Sequence, residues 1–313
     1  MTSSCATSRV ASGYRSNVVT DVLSRTGVIR PDPKDSSPLR IDEALVRKML
    51  VLFIRDETLK ARLKRAVIGV SGGVDSAVSV ALASHALGPE NVLGLFTPYR
   101  HSSEESRRHA RQVAEQFGFT LEEVPITAQV DAYFRSAPID ESDPKIRIRM
   151  GNKMARERKS IEYDRSWPDG LVIGTSNKTE LLLGYGTQFG DMACAINPVG
   201  DLYKTQLREL ALHLGIPDEI VRKPPTAELW VGQTDEDELG FTYADADLIL
   251  YHMVDRRLRP SELIGAGFDA ALVTKIREMV RKSHYKRVMP LIAKVSLRTV
   301  GHDFLYPRDW EAD

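Results

Sequence analysis

Gly69-Val70-Ser71-Gly72-Gly73-Val74-Asp75-Ser76 follows directly on the apolar run Ala66-Val67-Ile68. A buried strand that breaks into a glycine turn and reopens as a helix near Val74 decides the fold. Gly72 and Gly73 let a backbone come close to a ligand, and the free N–H groups of a helix N-terminus face an anion. The segment therefore reads as a phosphate cradle. It is not the Walker loop, because no Lys-Ser/Thr pair closes it. Asp75 places a carboxylate where phosphates add more negative charge. That arrangement needs a cation between them and points to Mg2+. The plainer alternative is a strand–turn–helix connection in which Asp75 is a favourable N-terminal helix charge.

Outward from this loop, strands alternate with helices. Apolar side chains at Ile41, Leu45, Met49, Leu52 and Phe53, then Leu59 and Leu63, repeat with helical spacing over 40–63. Strands are predicted at 66–70, 91–97, 120–125 and 171–175, with helices at 74–87, 103–117, 127–136 and 145–163. Beyond residue 175 helices dominate, at 177–183, 203–214, 243–256, 260–264 and 268–282. This order predicts an α/β fold, a doubly wound parallel sheet with flanking helices. Ligands on such sheets sit at the carboxyl ends of the strands. Ser71 and Thr175 both fall at such ends, so they can face one site.

Composition narrows the function. The chain has 313 residues, 42% of them apolar, enough for one large domain with a sizeable core. Lys+Arg and Asp+Glu both number 43, so no global field steers it to nucleic acid or a membrane. No apolar run approaches the ~20 residues of a membrane span. The only cysteines, Cys5 and Cys194, lack metal spacing, which predicts a reducing, cytoplasmic setting rather than a disulfide framework. Residues 1–38 carry no apolar signal core and end in Pro31, Pro33 and Pro38, so they read as a flexible N-terminal arm before a domain at 39–313.

Further blocks carry candidate chemistry. Gly174-Thr175-Ser176-Asn177-Lys178-Thr179-Glu180 ends a strand and opens a helix. Glu180 lies one turn inside, placed to look back toward Asp75. Two carboxylates meeting at a phosphate loop make a plausible Mg2+ pair, against the alternative of a solvated helix charge. The acidic run Asp235-Glu236-Asp237-Glu238 reads on its own as a solvated loop. Ser283-His284-Tyr285-Lys286-Arg287 reads either as helix-terminal charge or as an anion contact.

Taken in order, SGGVDS, GNKMAR (151–156), GTSNKTELLLGYGTQFGD (174–191), LYKTQLREL (202–210), PPTAEL (224–229), QTDEDELG (233–240) and YKR (285–287) resemble the ammonia-dependent NAD synthetases. These belong to the pyrophosphate-loop ATPases, with an adenine nucleotide alpha hydrolase-like fold. The resemblance implies a ligase that adenylates nicotinic acid adenine dinucleotide with ATP and then lets ammonia displace AMP, giving NAD, AMP and pyrophosphate. By motif position Gly69, Val70, Ser71, Gly72, Gly73, Val74, Asp75 and Ser76 would hold ATP, with Thr175, Lys204 and Thr226. Asp75 and Glu180 would ligate Mg2+. Arg156, Gln188, Tyr285 and Lys286 would contact the dinucleotide, and Asp191 would bind ammonium and take its proton, so that Asp191, Lys204 and Asp75 form the catalytic set.

The resemblance also implies a homodimer, with the helix over 40–63 at the interface, and free ammonia rather than glutamine as nitrogen donor. Three departures stand out. Gln188 replaces a customary Lys, Ala195 a customary Asp, and Tyr285 the His of a His-Lys-Arg triplet. The first two fall on the dinucleotide side. They leave open another adenylating ligase with a shifted substrate, or a non-catalytic nucleotide-binding protein.

Overall fold

The computed structural model describes residues 31–303 other than 136–138, 141–142, 227–233, 289 and 302. Four parallel strands form the sheet: β1 (Arg65–Gly69), β2 (Val92–Phe96), β3 (Thr120–Glu123) and β4 (Gly170–Val172), in spatial order β3-β2-β1-β4. β1 pairs Ala66 with Val92 on one side and with Leu171 on the other. Its interior is wholly buried, as a central strand covered on both faces requires. β3, at the edge, is largely polar and partly exposed.

Helices return the chain between strands: α1 (Glu43–Lys60) before β1, α2 (Val74–Leu87), α3 (Glu104–Phe117), then α4 (Thr127–Arg135) and α5 (Pro144–Ser166) before β4. The helices on the C-terminal side are α6 (Lys178–Leu183), α7 (Lys204–His213), α8 (Asp218–Arg222), α9 (Asp235–Leu239), α10 (Tyr243–Leu250), α11 (Pro260–Gly265) and α12 (Ala270–Lys282). α2 is buried from Val74 to Ser84 apart from Asp75, so it forms the centre of the main core with β1, α1, α3 and α7. A second core joins α6 to α9–α12. A third, smaller one packs α4 and α5 against Tyr99. Among the described residues no helix is long and apolar enough to cross a membrane.

The chain runs from β1 outward to β2 and β3, then crosses back to place β4 on the other side of β1. The connections at the carboxyl end of β1 and of β4 therefore diverge and leave a crevice between them. The fourth strand is shorter than its apolar pattern suggests. Its ladder ends at Val172; the next residues bond through Ile173 N to Val67 O at 3.0 Å and Gly174 N to Ile196 O at 2.8 Å. The helix anticipated over 243–256 is regular only to Leu250, and Tyr251–Asp255 continue as a π-helical turn.

Behind the crevice, the buried Asp247 of α10 ties α6 and α7 together. It accepts hydrogen bonds from Thr179 Oγ1 at 2.5 Å and from Thr205 N and Oγ1 at 2.8 Å. Removing this acceptor would strand donors in a dry site. Asp247→Ala is expected to lower unfolding free energy by about 3 kcal/mol, measured by denaturant titration; a loss within about 0.5 kcal/mol, typical of a plain surface site, would show that the contact is dispensable.

Candidate active site

The loop after β1 is shaped by its own serines. Ser71 N donates to Ser76 Oγ at 3.2 Å, Ser76 Oγ donates to Gly73 O at 3.0 Å, and Gly73 N donates to Ser71 Oγ at 3.3 Å. Gly72 has φ +82°, and a Cβ there would meet the Ser106 carbonyl oxygen at 2.3 Å. Only glycine fits both the backbone angle and the space. The loop leads into α2, so its backbone and the helix N-terminus face the crevice. There they border a cavity of about 460 Å³.

Three chain segments converge on a buried ammonium. Lys204, at the start of α7, is 2% exposed. Its Nζ donates to Asp75 Oδ2 at 2.5 Å and to Glu180 Oε1 at 3.2 Å. Asn177 caps α6: its Oδ1 accepts from Glu180 N at 3.0 Å, and its own N donates to Glu180 Oε2 at 3.3 Å. The same side chain reaches across to donate from Nδ2 to Asp75 Oδ1 at 2.8 Å. Glu180 is therefore held inside the site, not a solvated helix charge. Burial and the neighbouring Asp75 raise its carboxyl well above the ordinary range, while Lys204 pulls the other way. Burial alone would lower Lys204, but the charges of Asp75 and Glu180 prevail and hold it protonated.

A second polar layer backs this cluster. The Tyr243 ring lies under Lys204 Nζ at 5.2 Å. Its hydroxyl and that of Tyr185 each donate to Asp235 at 3.1 Å. Tyr185 also donates to Glu238 at 2.6 Å. The acidic run read as a solvated loop is in fact the short helix α9, with Asp235 buried. Its acidic residues fall in a first helical turn, where they complement the helix dipole.

Across the cavity, the turn at 187–191 carries Asp191, whose Oδ1 accepts from Thr187 N at 2.8 Å. Asp191 opens onto the cavity while protein encloses its other sides. That partial desolvation raises its carboxyl, and the Thr187 N–H opposes the rise. Lys286 Nζ donates to Gly184 O and Gly186 O at 2.7 and 2.8 Å and so braces this turn.

Of the expected site residues, Gly69, Val70, Ser71, Gly73, Val74, Asp75, Thr175, Glu180, Asp191, Lys204, Thr226 and Lys286 border the one cavity. Gly72 and Ser76 lie behind the loop and shape it. Arg156, Gln188 and Tyr285 are placed elsewhere: they form a chain on the outer rim. Arg156 Nε donates to Gln188 O at 3.3 Å, and Gln188 Nε2 to Tyr285 O at 3.5 Å.

The NAD synthase family profile matches residues 46–290, most of the chain. The chain belongs to the NAD synthase family. A curated relative from Trichlorobacter lovleyi, named NH(3)-dependent NAD(+) synthetase, is 54% identical over 88% of this chain and 99% of its own. A solved structure of NH3-dependent NAD synthetase from Campylobacter jejuni superposes with TM-score 0.69 at 30% identity, covering 81% of this chain and 100% of that one. NMN synthetase from Francisella tularensis gives TM-score 0.70 at 29% identity over 81% and 99%.

Within this cavity, several residues carry no short-range sequence signal. Arg158, Lys159 and Glu162 of α5 and Asp235 of α9 all face the cavity. On α5, Ile148, Asn152, Ala155, Lys159 and Glu162 form one stripe at helical spacing along it. That stripe is visible in the sequence once the helix is known to flank the site. Gly72→Ala tests the loop geometry. The folded variant is expected to bind nucleoside triphosphate at least about tenfold more weakly by titration calorimetry, equivalent to 1.4 kcal/mol; unchanged affinity would show that the loop tolerates the Cβ.

Proposed function

We propose that this chain joins ammonia to the nicotinate carboxylate of nicotinic acid adenine dinucleotide, using Mg-ATP, to give NAD, AMP and pyrophosphate. One observation carries the reading: the Asp75–Lys204–Glu180 cluster at the glycine loop faces Asp191 across a single cavity. One wall suits phosphates and a cation, and the other suits an amine nucleophile. The ammonia-specific name of the 54% identical relative, matched over 99% of its length, supports free ammonia as donor.

Asp75 and Glu180 are hard oxygen donors that line the glycine-loop wall of the cavity, and they are the residues that would hold Mg2+ there. Among the described residues no set of three or more His, Cys, Asp or Glu side chains forms a metal site. Held by these two carboxylates, Mg2+ would neutralise charge on the phosphates. The loop and the α2 N-terminus bind the triphosphate, with Lys204 as a point charge on it. A substrate carboxylate oxygen attacks the α-phosphorus, and the bond to the departing pyrophosphate breaks. Asp191 takes a proton from ammonium, the freed ammonia attacks the acyl carbon, and AMP leaves with the bonding pair while the nitrogen's second proton passes to its departing phosphate.

Incubation with Mg-ATP, nicotinic acid adenine dinucleotide and ammonium is expected to yield NAD and AMP in equal amounts, and glutamine is not expected to replace ammonium. Nicotinic acid mononucleotide serves as the competing substrate; amidation of it in preference to the dinucleotide would overturn the substrate assignment. Asp191 accepts a proton only as carboxylate. Because its pKa is raised, that form is lost as pH falls through a value above the ordinary carboxylate range. kcat/KM for ammonium should fall along that limb, and Asp191→Asn should cost about 100-fold or more. A variant as active as the parent would remove Asp191 from the proton path.

The reading extends to a homodimer through α1. One face of α1 packs Val46, Leu50, Val51 and Ile54 into the core. The other leaves Leu45, Met49 and Leu59 53%, 58% and 63% exposed, a stripe at helical spacing that calls for a cover. Leu45→Glu combined with Met49→Glu is expected to convert a dimer to monomers in analytical ultracentrifugation; an unchanged sedimentation profile would place the interface elsewhere.

A further inference from the structure

The cavity floor holds an ion pair that the loop chemistry above does not use. Lys159 and Glu162 of α5 are 6% and 5% exposed, and Lys159 Nζ donates to Glu162 Oε2 at 2.6 Å. Both line the cavity. A buried pair of this kind is a poor source of stability, since the cost of desolvating two charges rivals their attraction. A helix that merely packed on β1 would do as well with apolar side chains.

The position of the pair bears on its role. Glu162 lies against the end of β1: a Cβ on Gly69 would meet Glu162 Oε1 at 2.5 Å. On the other side, the turn that carries Asp191 packs on α5 one to two turns before Lys159: Thr187 Oγ1 donates to Asn152 Oδ1 at 2.7 Å, and a Cβ on Gly190 would meet Ala155 Cβ at 3.0 Å. α5 therefore carries Lys159 along the cavity between the start of the glycine loop and the Asp191 turn. The reacting acyl group must also lie between those two points, because its oxygen meets the α-phosphorus and its carbon meets the nitrogen. Glu162 is the only hydrogen-bond partner of Lys159 Nζ among the described residues, which leaves donors to spare on the ammonium.

We propose that Lys159 binds the substrate carboxylate and that Glu162 is the positioning residue that holds it there. The inference rests on the ligase reading above. In the first step Lys159 aligns the carboxylate oxygen for attack on the α-phosphorus and keeps its negative charge from the phosphates. In the second it faces the oxygen of the acyl carbon as ammonia adds and negative charge gathers there. Lys159 keeps its own proton throughout. Asp191 holds the proton taken from ammonium, the C–O bond to AMP breaks with its electron pair, and the nitrogen's second proton leaves on the AMP phosphate.

Exchange of labelled pyrophosphate into ATP, dependent on nicotinic acid adenine dinucleotide, reads the first step without ammonia. Parent protein must show this exchange; if it does not, the ligase reading fails and not the role of Lys159. Lys159→Met/Glu162→Leu replaces the pair with apolar side chains. It is expected to unfold within a few degrees of the parent and to bind ATP alone as tightly, while exchange falls about 100-fold or more and KM for the dinucleotide rises. A folded double variant whose exchange stays within about threefold of the parent, a change of under 1 kcal/mol, overturns the proposal. If the double variant does not fold, Lys159→Arg decides. It keeps the charge but moves it, and an exchange loss of about tenfold or more supports the assignment, whereas parental exchange overturns it.

Discussion

The ammonium of Lys204 is the point on which the site depends. An ammonium this deeply buried is tolerable only beside opposite charge. Asp75 and Glu180 supply it, from the first turn of α2 and from α6. Without the lysine, the two carboxylates would repel each other across a short gap. With it, the α2 N-terminus, α6 and α7 are locked at one crossing. The surrounding residues preserve that crossing. Asn177 fixes both carboxylates, Tyr243 lies under the cation, and Asp247 holds the first turns of α6 and α7 from behind. The second core is thus a support for a charge cluster as much as a hydrophobic body.

The parts of this arrangement that were legible in the sequence are those written in short-range code. The strand, the glycine turn and α2 follow from a local apolar run, two glycines and a buried helix, and the sheet follows from their repetition. Glu180 was ambiguous from spacing alone, because a capping box and a solvated charge look alike until the strand end is placed. Asp235 was misread for a related reason. Four acidic residues in a row signal solvent, yet two tyrosines from α10 and the turn after α6 bury one of them. Lys159 and Glu162 were invisible as a pair, since i and i+3 charges on a strongly basic helix are ordinary until the helix face is known to line a cavity.

The outer rim has a different character from the glycine-loop wall. That wall is built from backbone and buried charge, with little freedom. The rim formed by Arg156, Gln188 and Tyr285 is joined partly through main-chain carbonyls, at 3.3 and 3.5 Å. The link from Arg156 to the Gln188 carbonyl does not depend on the side chain at 188, whereas the link to Tyr285 uses the Gln188 amide as donor. Lys286 contributes in the same manner, gripping two carbonyls of the turn that leads to Asp191.

Ser106, in the first turn of α3, draws these halves together. Its carbonyl presses on Gly72, and its hydroxyl accepts a hydrogen bond from Lys223 Nζ at 2.8 Å, immediately before Pro224. The glycine loop and the 223–226 segment, which lie far apart along the chain, thus both rest on the first turn of α3, where Lys223 also pairs with Glu105 at 3.3 Å. The loop and the far lip of the cavity are therefore set in place together by one helical turn.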